Sequence, residues 1–347
     1  MRILIGTTGF SYEDWNGPNV FYQSTTDTLE SQLCYYMTRF DMLTISSTYE
    51  SQPCANMYTE WANLALKTRK DFSFVVIAPK KFTDSHSISS SIREWTRFWN
   101  GYTVRTNRGC ERTERKGECK ILFDKGVLGC VVLQFPGSFH YNDRHLNKIL
   151  KITKLIPPTL KLSFEFLHSS WREERSKIAE MFRTRPSWCI STPFVENGLV
   201  DFGWAGNIKS TRTHDAFTAN SRGPSVLLTT DFVHISLCGT LGPHIGSYDR
   251  DGFLERFSVE LKKLESAGVK TAFCSFDATT PQTTFCNPLP GMVISGFFLN
   301  PKISDLPSHT SVDRPCCLHD AIRLQELLRS TRKYKRDSEG FVEIEFK

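Results

Sequence analysis

The chain has 347 residues, and its 43 Lys and Arg against 37 Asp and Glu give a formal net charge of +6. With 39% hydrophobic and 23% charged residues, the composition excludes a largely disordered chain and supports a packed core. The charge is too mild to argue for nucleic-acid binding, and the lack of an apolar run of about 18 residues predicts no membrane partner.

Short runs rich in β-branched and aromatic residues predict eight strands, in chain order 2–6, 41–46, 72–78, 130–135, 160–166, 187–191, 231–237 and 292–299. The run 270–276 is a ninth candidate. Helices are predicted between the strands, over 27–40, 54–68, 86–102, 142–155, 171–184, 253–264 and 315–335. Local signals support two of these helices, because Asn142 can cap one and Gly268 can stop another.

Strands that alternate with helices predict parallel pairing through right-handed crossovers. Strands that are apolar along their whole length also predict a sheet covered on both faces. Eight such strands favour an α/β fold, a TIM-like (β/α)8 barrel in which strands one and eight are parallel neighbours. The rival is a doubly wound open sheet, which is weakened because no G-x-G-x-x-G motif follows the first strand.

Segments 103–120, 198–228 and 277–291 interrupt the alternation and are interpreted as loop insertions. We therefore predict one barrel domain over residues 1–328, followed by a charged C-terminal tail over 329–347. Six basic residues in 103–120 and five in 329–336 offer a surface for an anionic ligand or nucleic acid. The alternative, that both segments are ordinary solvated surface, stays open at this point.

The chain has 11 cysteines, an odd number without a C-x-x-C pair. Cys130, Cys189 and Cys274 lie in apolar runs, where a free thiol behaves as a small buried hydrophobic group. The N-terminal segment is interpreted as a buried strand, too short for a signal peptide. Together these features predict reduced thiols and a cytoplasmic location. No metal site is expected at Cys316 and Cys317, because no second pair stands at zinc-ligand spacing.

Six motifs occur in order along the chain. They are IGTTGFSYEDW at 5–15, STY at 47–49, LGCVVLQFPGSF at 128–139, FEFLHSSW at 164–171, TTDFVHISLCG at 229–239 and HDAIRL at 319–324. This set resembles the YecE-like family, domain of unknown function 72, from about residue 3 to residue 328. The resemblance implies a TIM-like barrel, akin in fold to metal-dependent sugar isomerase and endonuclease barrels. It implies no established activity.

The chain also departs from the family pattern at many strand ends. Positions where the family carries Glu, Asn, Lys, His, Arg or Asp hold other residues here, namely Thr44, Ser46, Ile77, Asp84, Leu167, Ser191, Ser236, Cys238 and Leu299. Ionisable groups have thus been exchanged mostly for small or apolar ones where barrel chemistry takes place. These exchanges indicate a member whose ancestral activity is altered or lost.

In a TIM-like barrel the site lies at the carboxyl ends of the strands. Glu165 and His168 are the carboxylate and imidazole within one motif there, and they are the candidate catalytic acid–base pair. Candidate ligand-binding residues at the strand ends are Thr8, Tyr12, Trp15, Tyr49, Lys80, Gln134 and Asn300. No metal and no cofactor are expected, since strand ends two, three, six and seven offer no carboxylate or imidazole ligands.

Each candidate also has a purely structural interpretation. Glu165 can pair with Lys80 or another basic residue, and His168 can cap the following helix through Ser169 or Ser170. Trp15 and Trp171 can be packing residues instead of stacking platforms. These alternatives remain open from the sequence.

The sequence is compatible with two functions. The first is a divergent barrel that acts as a ligand-binding or interaction module, with protein partners unidentified. The alternative is an enzyme, a hydrolase if active, that acts on a phosphorylated or nucleic-acid-like substrate with Glu165 and His168 as the acid–base pair and Lys80 as an anion contact. No nucleophile elbow, P-loop or dinucleotide motif supports a named reaction.

Overall fold

The structure is a computed structural model. It describes residues 1–12, 15–17, 21–22, 28–50, 55–84, 87–105, 112–115, 117–195, 198–199, 226–237, 252–276, 316–336 and 342–346. The strands are β1 (Arg2–Thr8), β2 (Met42–Ile45), β3 (Ser73–Ile77), β4 (Tyr102–Arg105), β5 (Arg112–Arg115), β6 (Leu128–Phe135), β7 (Leu162–Phe166), β8 (Trp188–Ile190), β9 (Phe194–Val195), β10 (Gly198–Leu199), β11 (Phe232–Leu237), β12 (Thr271–Phe276), β13 (Arg332–Arg336) and β14 (Val342–Phe346).

The helices are α1 (Leu29–Arg39), α2 (Ser47–Glu50), α3 (Ala55–Thr68), α4 (Lys80–Asp84), α5 (Ile88–Asn100), α6 (Glu118–Asp124), α7 (Asp143–Thr153), α8 (Ser170–Glu173), α9 (Arg175–Arg183), α10 (Phe253–Ser266) and α11 (Cys316–Thr331). Their ends follow the local chemistry of the sequence. Asn142 caps α7 by accepting from the amide of His145, and Gly268 adopts a positive φ of 94° just after α10. None of these helices is long and apolar enough to cross a bilayer.

Eight parallel strands form a nearly closed barrel and alternate with helices, as the sequence predicts. Their spatial order is β8, β7, β6, β3, β2, β1, β12 and β11. The remaining gap lies between β8 and β11, where the Thr192 amide donates to the His234 carbonyl at 2.9 Å. Just beyond it, Phe194 of β9 pairs in parallel with Leu237 of β11. The described strands thus make a TIM-like (β/α)8 barrel.

The strand that closes the barrel beside β1 corrects one sequence assignment. β12 at 271–276, the ninth candidate, pairs in parallel with β1 along its whole length, from Arg2 opposite Thr271 to Thr7 opposite Phe276. The run 292–299, predicted as strand eight, lies outside the described residues. Both runs are short and apolar, so pattern alone could not decide which one pairs with β1.

Three further segments differ from the sequence prediction. Part of the predicted loop 103–120 forms an antiparallel hairpin, β4–β5, and its end begins α6. The predicted helix 171–184 is divided into α8 and α9, and the helix predicted over 315–335 ends at Thr331. The rest of the tail contains a separate hairpin, β13–β14, in which Lys333 stands opposite Glu345. Segment 277–291 and most of 198–228 lie outside the described residues.

The barrel separates two apolar layers. The larger layer lies between the strands and the surrounding helices, and it contains Phe74, Phe164 and Trp171. The smaller one lies inside the barrel and consists of Leu4, Met42, Val75, Ile77, Cys130, Val132, Cys189, Phe232 and Phe273. Because side chains alternate along a strand, every other residue faces this interior, which we call the lumen.

Candidate functional site

The lumen changes character from apolar to polar towards the carboxyl ends of the strands. Positions that follow the apolar lumen residues by an even number along the same strand face the same side. Glu165 joins them because it stands opposite Gln134, while its neighbours Phe164 and Phe166 belong to the outer layer. Seven of the polar residues found in this way are Thr8, Thr44, Gln134, Glu165, Ser191, His234 and Ser275. We call this set the polar arc.

Hydrogen bonds join members of the polar arc on neighbouring strands. The hydroxyl of Ser275 on β12 lies 3.1 Å from that of Thr8 and 2.8 Å from that of Thr44. On the other side, the Gln134 amide donates to a carboxylate oxygen of Glu165 at 3.3 Å. All members except the half-buried Gln134 are buried. Buried polar groups at the carboxyl ends of barrel strands are typical of a ligand site.

His234 is the arc member that sequence reasoning missed. It is 3% exposed, and its Nδ1 lies 3.2 Å from the Ser191 hydroxyl. Its Nε2 is buried and has no hydrogen-bond partner among the residues that the structure describes. Burial lowers the pKa of His234 from 6.5 to about 4, so its imidazole is neutral at physiological pH. The fold thus holds an uncharged imidazole with one unused nitrogen inside the barrel.

A signal for His234 was present in the sequence. Along β11, Phe232, His234 and Ser236 alternate with Val233, Ile235 and Leu237. The second set is buried in the outer layer, so the first faces the lumen. Polar residues at every second position therefore predict that one side of this strand is polar and the other apolar.

Glu165 lies where the sequence predicts, near the end of β7 on the lumen side. It is 3% exposed and accepts from Gln134 on the adjacent strand. These two predicted site residues are thus brought together. The hydrogen bond stabilises the side chains in one arrangement facing the mouth.

His168 lies in the turn after β7. The Ser170 amide donates to its Nδ1 at 3.1 Å, and the Ser170 hydroxyl lies 2.8 Å from the same nitrogen. Its ring centroid is 3.9 Å from that of His140. Burial and the neighbouring His140 lower the pKa of His168, while Glu173 opposes them. The acidic neighbour that acts on His168 is therefore Glu173 of the following helix. The hydrogen bond between His168 and Ser170 corresponds to the alternative from the sequence, in which His168 caps this helix.

Of the predicted ligand contacts at and after the end of β1, Thr8 lies in the polar arc, whereas Trp15 lies in the outer layer. Thr8 belongs to the polar arc, and the Tyr12 hydroxyl donates to its carbonyl at 2.5 Å. Trp15 is fully buried in the outer layer, 5.8 Å from the ring of Phe21 and 6.2 Å from that of Tyr22. In this position Trp15 packs the loop against the helices, because none of its surface is open to a ligand.

Tyr49 and Lys80 are brought together at the edge of the mouth. Tyr49 packs against the apolar lumen residues, and the Lys80 ammonium lies 6.0 Å from the centre of its ring. This is the distance of a weak cation–π contact. Asn300 lies outside the described residues. In the part of the chain that is described, no three His, Cys, Asp or Glu side chains are grouped as a metal site.

Comparison with known proteins gives this barrel a family. The family model described as protein of unknown function DUF72 matches residues 4–284, which is more than half of the chain. The chain belongs to the DUF72 family. This confirms the resemblance that the ordered motifs indicated. No curated protein matches the chain.

Solved DUF72 structures support the fold. The crystal structure of a DUF72 family protein from Thermotoga maritima MSB8 matches with a TM-score of 0.57 and 18% identity, over 95% of this chain and 100% of that one. A DUF72 family protein from Enterococcus faecalis V583 matches with a TM-score of 0.57 and 13% identity, over 94% and 98% of the two chains. At such identities the likeness shows the shared fold, the TIM-like barrel, and nothing about activity.

Proposed function

We propose that this DUF72 barrel binds a small, uncharged, polar ligand at its mouth and that its catalytic activity is altered or lost. The observation that carries the proposal is the polar arc, which lines the lumen with hydroxyl, amide and neutral imidazole groups beside a single carboxylate, Glu165. Such groups donate to and accept from hydroxyls or amides of a ligand. The hydroxyl, amide and neutral imidazole groups supply no positive charge for an anion at the same place.

The surroundings of His168 also favour binding over acid–base catalysis. Its Nδ1 accepts from the Ser170 amide and its acidic neighbour is Glu173. A general acid or base needs a free nitrogen within reach of the substrate, aligned with its partner group. The described contacts direct Nδ1 into the turn, away from use as an acceptor for substrate.

The test is a binding assay that compares ligand charge. Purified full-length protein is heated with neutral polyols, with their phosphorylated counterparts and with short phosphodiesters. A ligand at tenfold its Kd stabilises the folded state by roughly 1.4 kcal/mol, so it raises the Tm measurably. We expect a saturable rise with a neutral compound and a smaller one with its phosphorylated form.

The competing enzyme function is tested with the same samples. Turnover of a phosphorylated or phosphodiester substrate that is abolished in Glu165→Gln and retained in Glu180→Gln would overturn the proposal. Glu180 is a matched control because it is an exposed glutamate of α9 on the outside of the barrel. Saturable binding without turnover supports the binding module.

We further propose that the protein works in a reducing, cytoplasmic compartment. The described cysteines Cys34, Cys119, Cys130, Cys189 and Cys274 are free thiols. Burial raises the pKa of Cys189 to about 12, which keeps its thiol protonated and unreactive. Thiol counting on protein purified from its native cells checks this, and intramolecular disulfides in that material would contradict it.

A further inference from the structure

The unused nitrogen of His234 points to a ligand contact deeper than the mouth. Buried polar atoms in native proteins nearly always have a hydrogen-bond partner. His234 Nδ1 has one in Ser191, but Nε2 has none among the described residues although the ring is 3% exposed. The ring stands on the lumen face of β11, since Phe232 two residues earlier belongs to the apolar lumen set. Any partner for Nε2 therefore lies outside the described residues.

We infer that His234 Nε2 is the innermost contact of the bound ligand, and that this ligand is an uncharged polyhydroxy compound with one hydroxyl placed at Nε2. The inference rests on the proposed binding function and adds to it a residue and a substrate class. His234 lies in the motif at 229–239 but was not among the candidate site residues predicted from the sequence.

A hydroxyl group suits this position better than a charged group. A hydroxyl can donate to Nε2 or accept from it, so it fits either tautomer of a neutral imidazole. A neutral imidazole can donate one hydrogen bond to an anion but offers it no positive charge, and burial lowers the pKa of His234 to about 4. The Lys161 ammonium lies against the rings of Phe232 and Phe273, at 5.2 and 5.8 Å, on the apolar part of the lumen.

The spacing of the strands sets the size of the ligand. Three successive strand positions around the barrel carry Glu165 on β7, Ser191 just after β8 and His234 on β11. Paired strands are about 4.8 Å apart, so the backbones of β7 and β11, which are two strands apart, are separated by roughly 10 Å. This separation is comparable to the length of a hexitol or a monosaccharide, which in the proposed complex would extend from the Glu165–Gln134 pair to Nε2. The apolar residues below would pack against its C–H surface.

Two substitutions of His234 distinguish the role of Nδ1 from that of Nε2. The side-chain amide of His234→Asn occupies the place of Nδ1 and keeps the Ser191 contact, but it removes the group at Nε2. The amide of His234→Gln reaches the place of Nε2 and can replace the ligand contact. His145→Gln is the matched control, because His145 lies on α7 outside the lumen.

The probes are D-sorbitol and myo-inositol, and the readouts are the imidazole ¹⁵N shifts of the unmodified protein and the saturable change in Tm. Polyols also stabilise proteins without binding, but that effect is not saturable and does not move one imidazole signal. We expect Nε2 of His234 to shift with saturation. We expect His234→Asn to bind roughly tenfold more weakly, because the lost contact is buried, and His234→Gln and His145→Gln to remain close to the parent.

The outcomes distinguish the two proposals. Saturable polyol binding that leaves the Nε2 signal unmoved and is equal in His234→Asn overturns the role of His234 and leaves the binding module standing. Binding of neither probe to the unmodified protein, with saturable binding of a phosphorylated compound instead, overturns the uncharged ligand and both proposals with it. The NMR readout needs no variant, so a misfolded substitution does not block the test.

Discussion

Two places in the barrel set a histidine beside a serine, and they differ in almost everything else. His168 shares its Nδ1 with Ser170, two residues along the chain, and the ring is half-buried next to His140. His234 contacts Ser191, which is 43 residues away in sequence and follows the neighbouring strand of the barrel. The His234 side chain is 3% exposed. The first pair is a local turn and the second exists only because the barrel forms.

This difference shows how burial and connectivity decide what a polar pair can do. A half-buried imidazole with a local partner stabilises the turn that holds it and can exchange its remaining contact with water. A buried imidazole whose second nitrogen has no described partner keeps one hydrogen-bonding group inside the fold that a ligand could bind. We therefore assign the first pair mainly to structure and the second to the proposed ligand site.

The largest predicted difference between the two pairs is the effect of His234 on how the free energy of unfolding depends on pH. The unfolded chain protonates His234 near pH 6.5, whereas burial lowers the pKa of the folded form to about 4. Between these values the unfolded state binds more protons, so the free energy of unfolding falls as the pH falls. The contribution of His234 is complete above pH 6.5, and on the order of 3 kcal/mol is lost by pH 4.

Urea unfolding of the parent and of His234→Asn at pH 7 and pH 4 isolates this contribution from that of the carboxylates. We expect a smaller loss with acid in the variant, by on the order of 3 kcal/mol. His145→Gln should lose as much as the parent. Equal acid sensitivity in the parent and His234→Asn would mean that His234 is not a buried neutral imidazole.

The next effect concerns the serine of the buried pair. Ser191→Ala removes the partner of His234 Nδ1 and leaves both ring nitrogens buried without one among the described residues. An unsatisfied buried group costs about 1–3 kcal/mol, so the free energy of unfolding should fall by that amount and the urea midpoint should fall with it. Ser138→Ala, at an exposed serine, should change it little. A Ser191→Ala midpoint indistinguishable from that of Ser138→Ala would refute the pairing.

Much of the barrel could be predicted from sequence because its strands carry their own signal. The run Phe74–Ile77 is apolar throughout, as a strand covered on both faces requires, and β3 forms there. The choice of the last strand could not be made in this way. β12 and the run 292–299 have the same local pattern, and only pairing with β1, at a separation of more than 260 residues, distinguishes β12.

The site was harder to predict than the fold for a related reason. Glu165 and Gln134 stand in motifs, and their bond joins adjacent strands whose register the motifs suggest. Ser191 was noted only as a position where the family carries Asp, and His234 lies in the motif at 229–239 without having been assigned a role there. Their contact depends on the closure of the barrel between β8 and β11, which no local pattern encodes.

A smaller effect is expected at the half-buried pair, His168 and Ser170. Because His168 Nδ1 accepts from the Ser170 amide at the start of α8, His168→Ala should destabilise the protein by about 1 kcal/mol. His168→Asn keeps an acceptor at this position and should recover most of that loss. If His168 instead acts in acid–base catalysis, both variants abolish turnover equally while their stabilities differ. Parallel urea and turnover measurements separate the two roles.

The smallest predicted change distinguishes the neighbours of the two histidines. Burial is the main cause that lowers the pKa of His168, and the adjacent His140 lowers it further while Glu173 raises it. The pKa of His168 should therefore rise in His140→Gln, because a positive neighbour is removed, and fall in Glu173→Gln, because a negative one is removed. The pKa of His234, lowered by burial inside the barrel, should not change in either variant. An NMR titration of the histidine rings measures both in one sample. Shifts of His168 in the same direction in the two variants would contradict this placement of charges, and a shift of His234 would mean that the two pairs are coupled through the barrel.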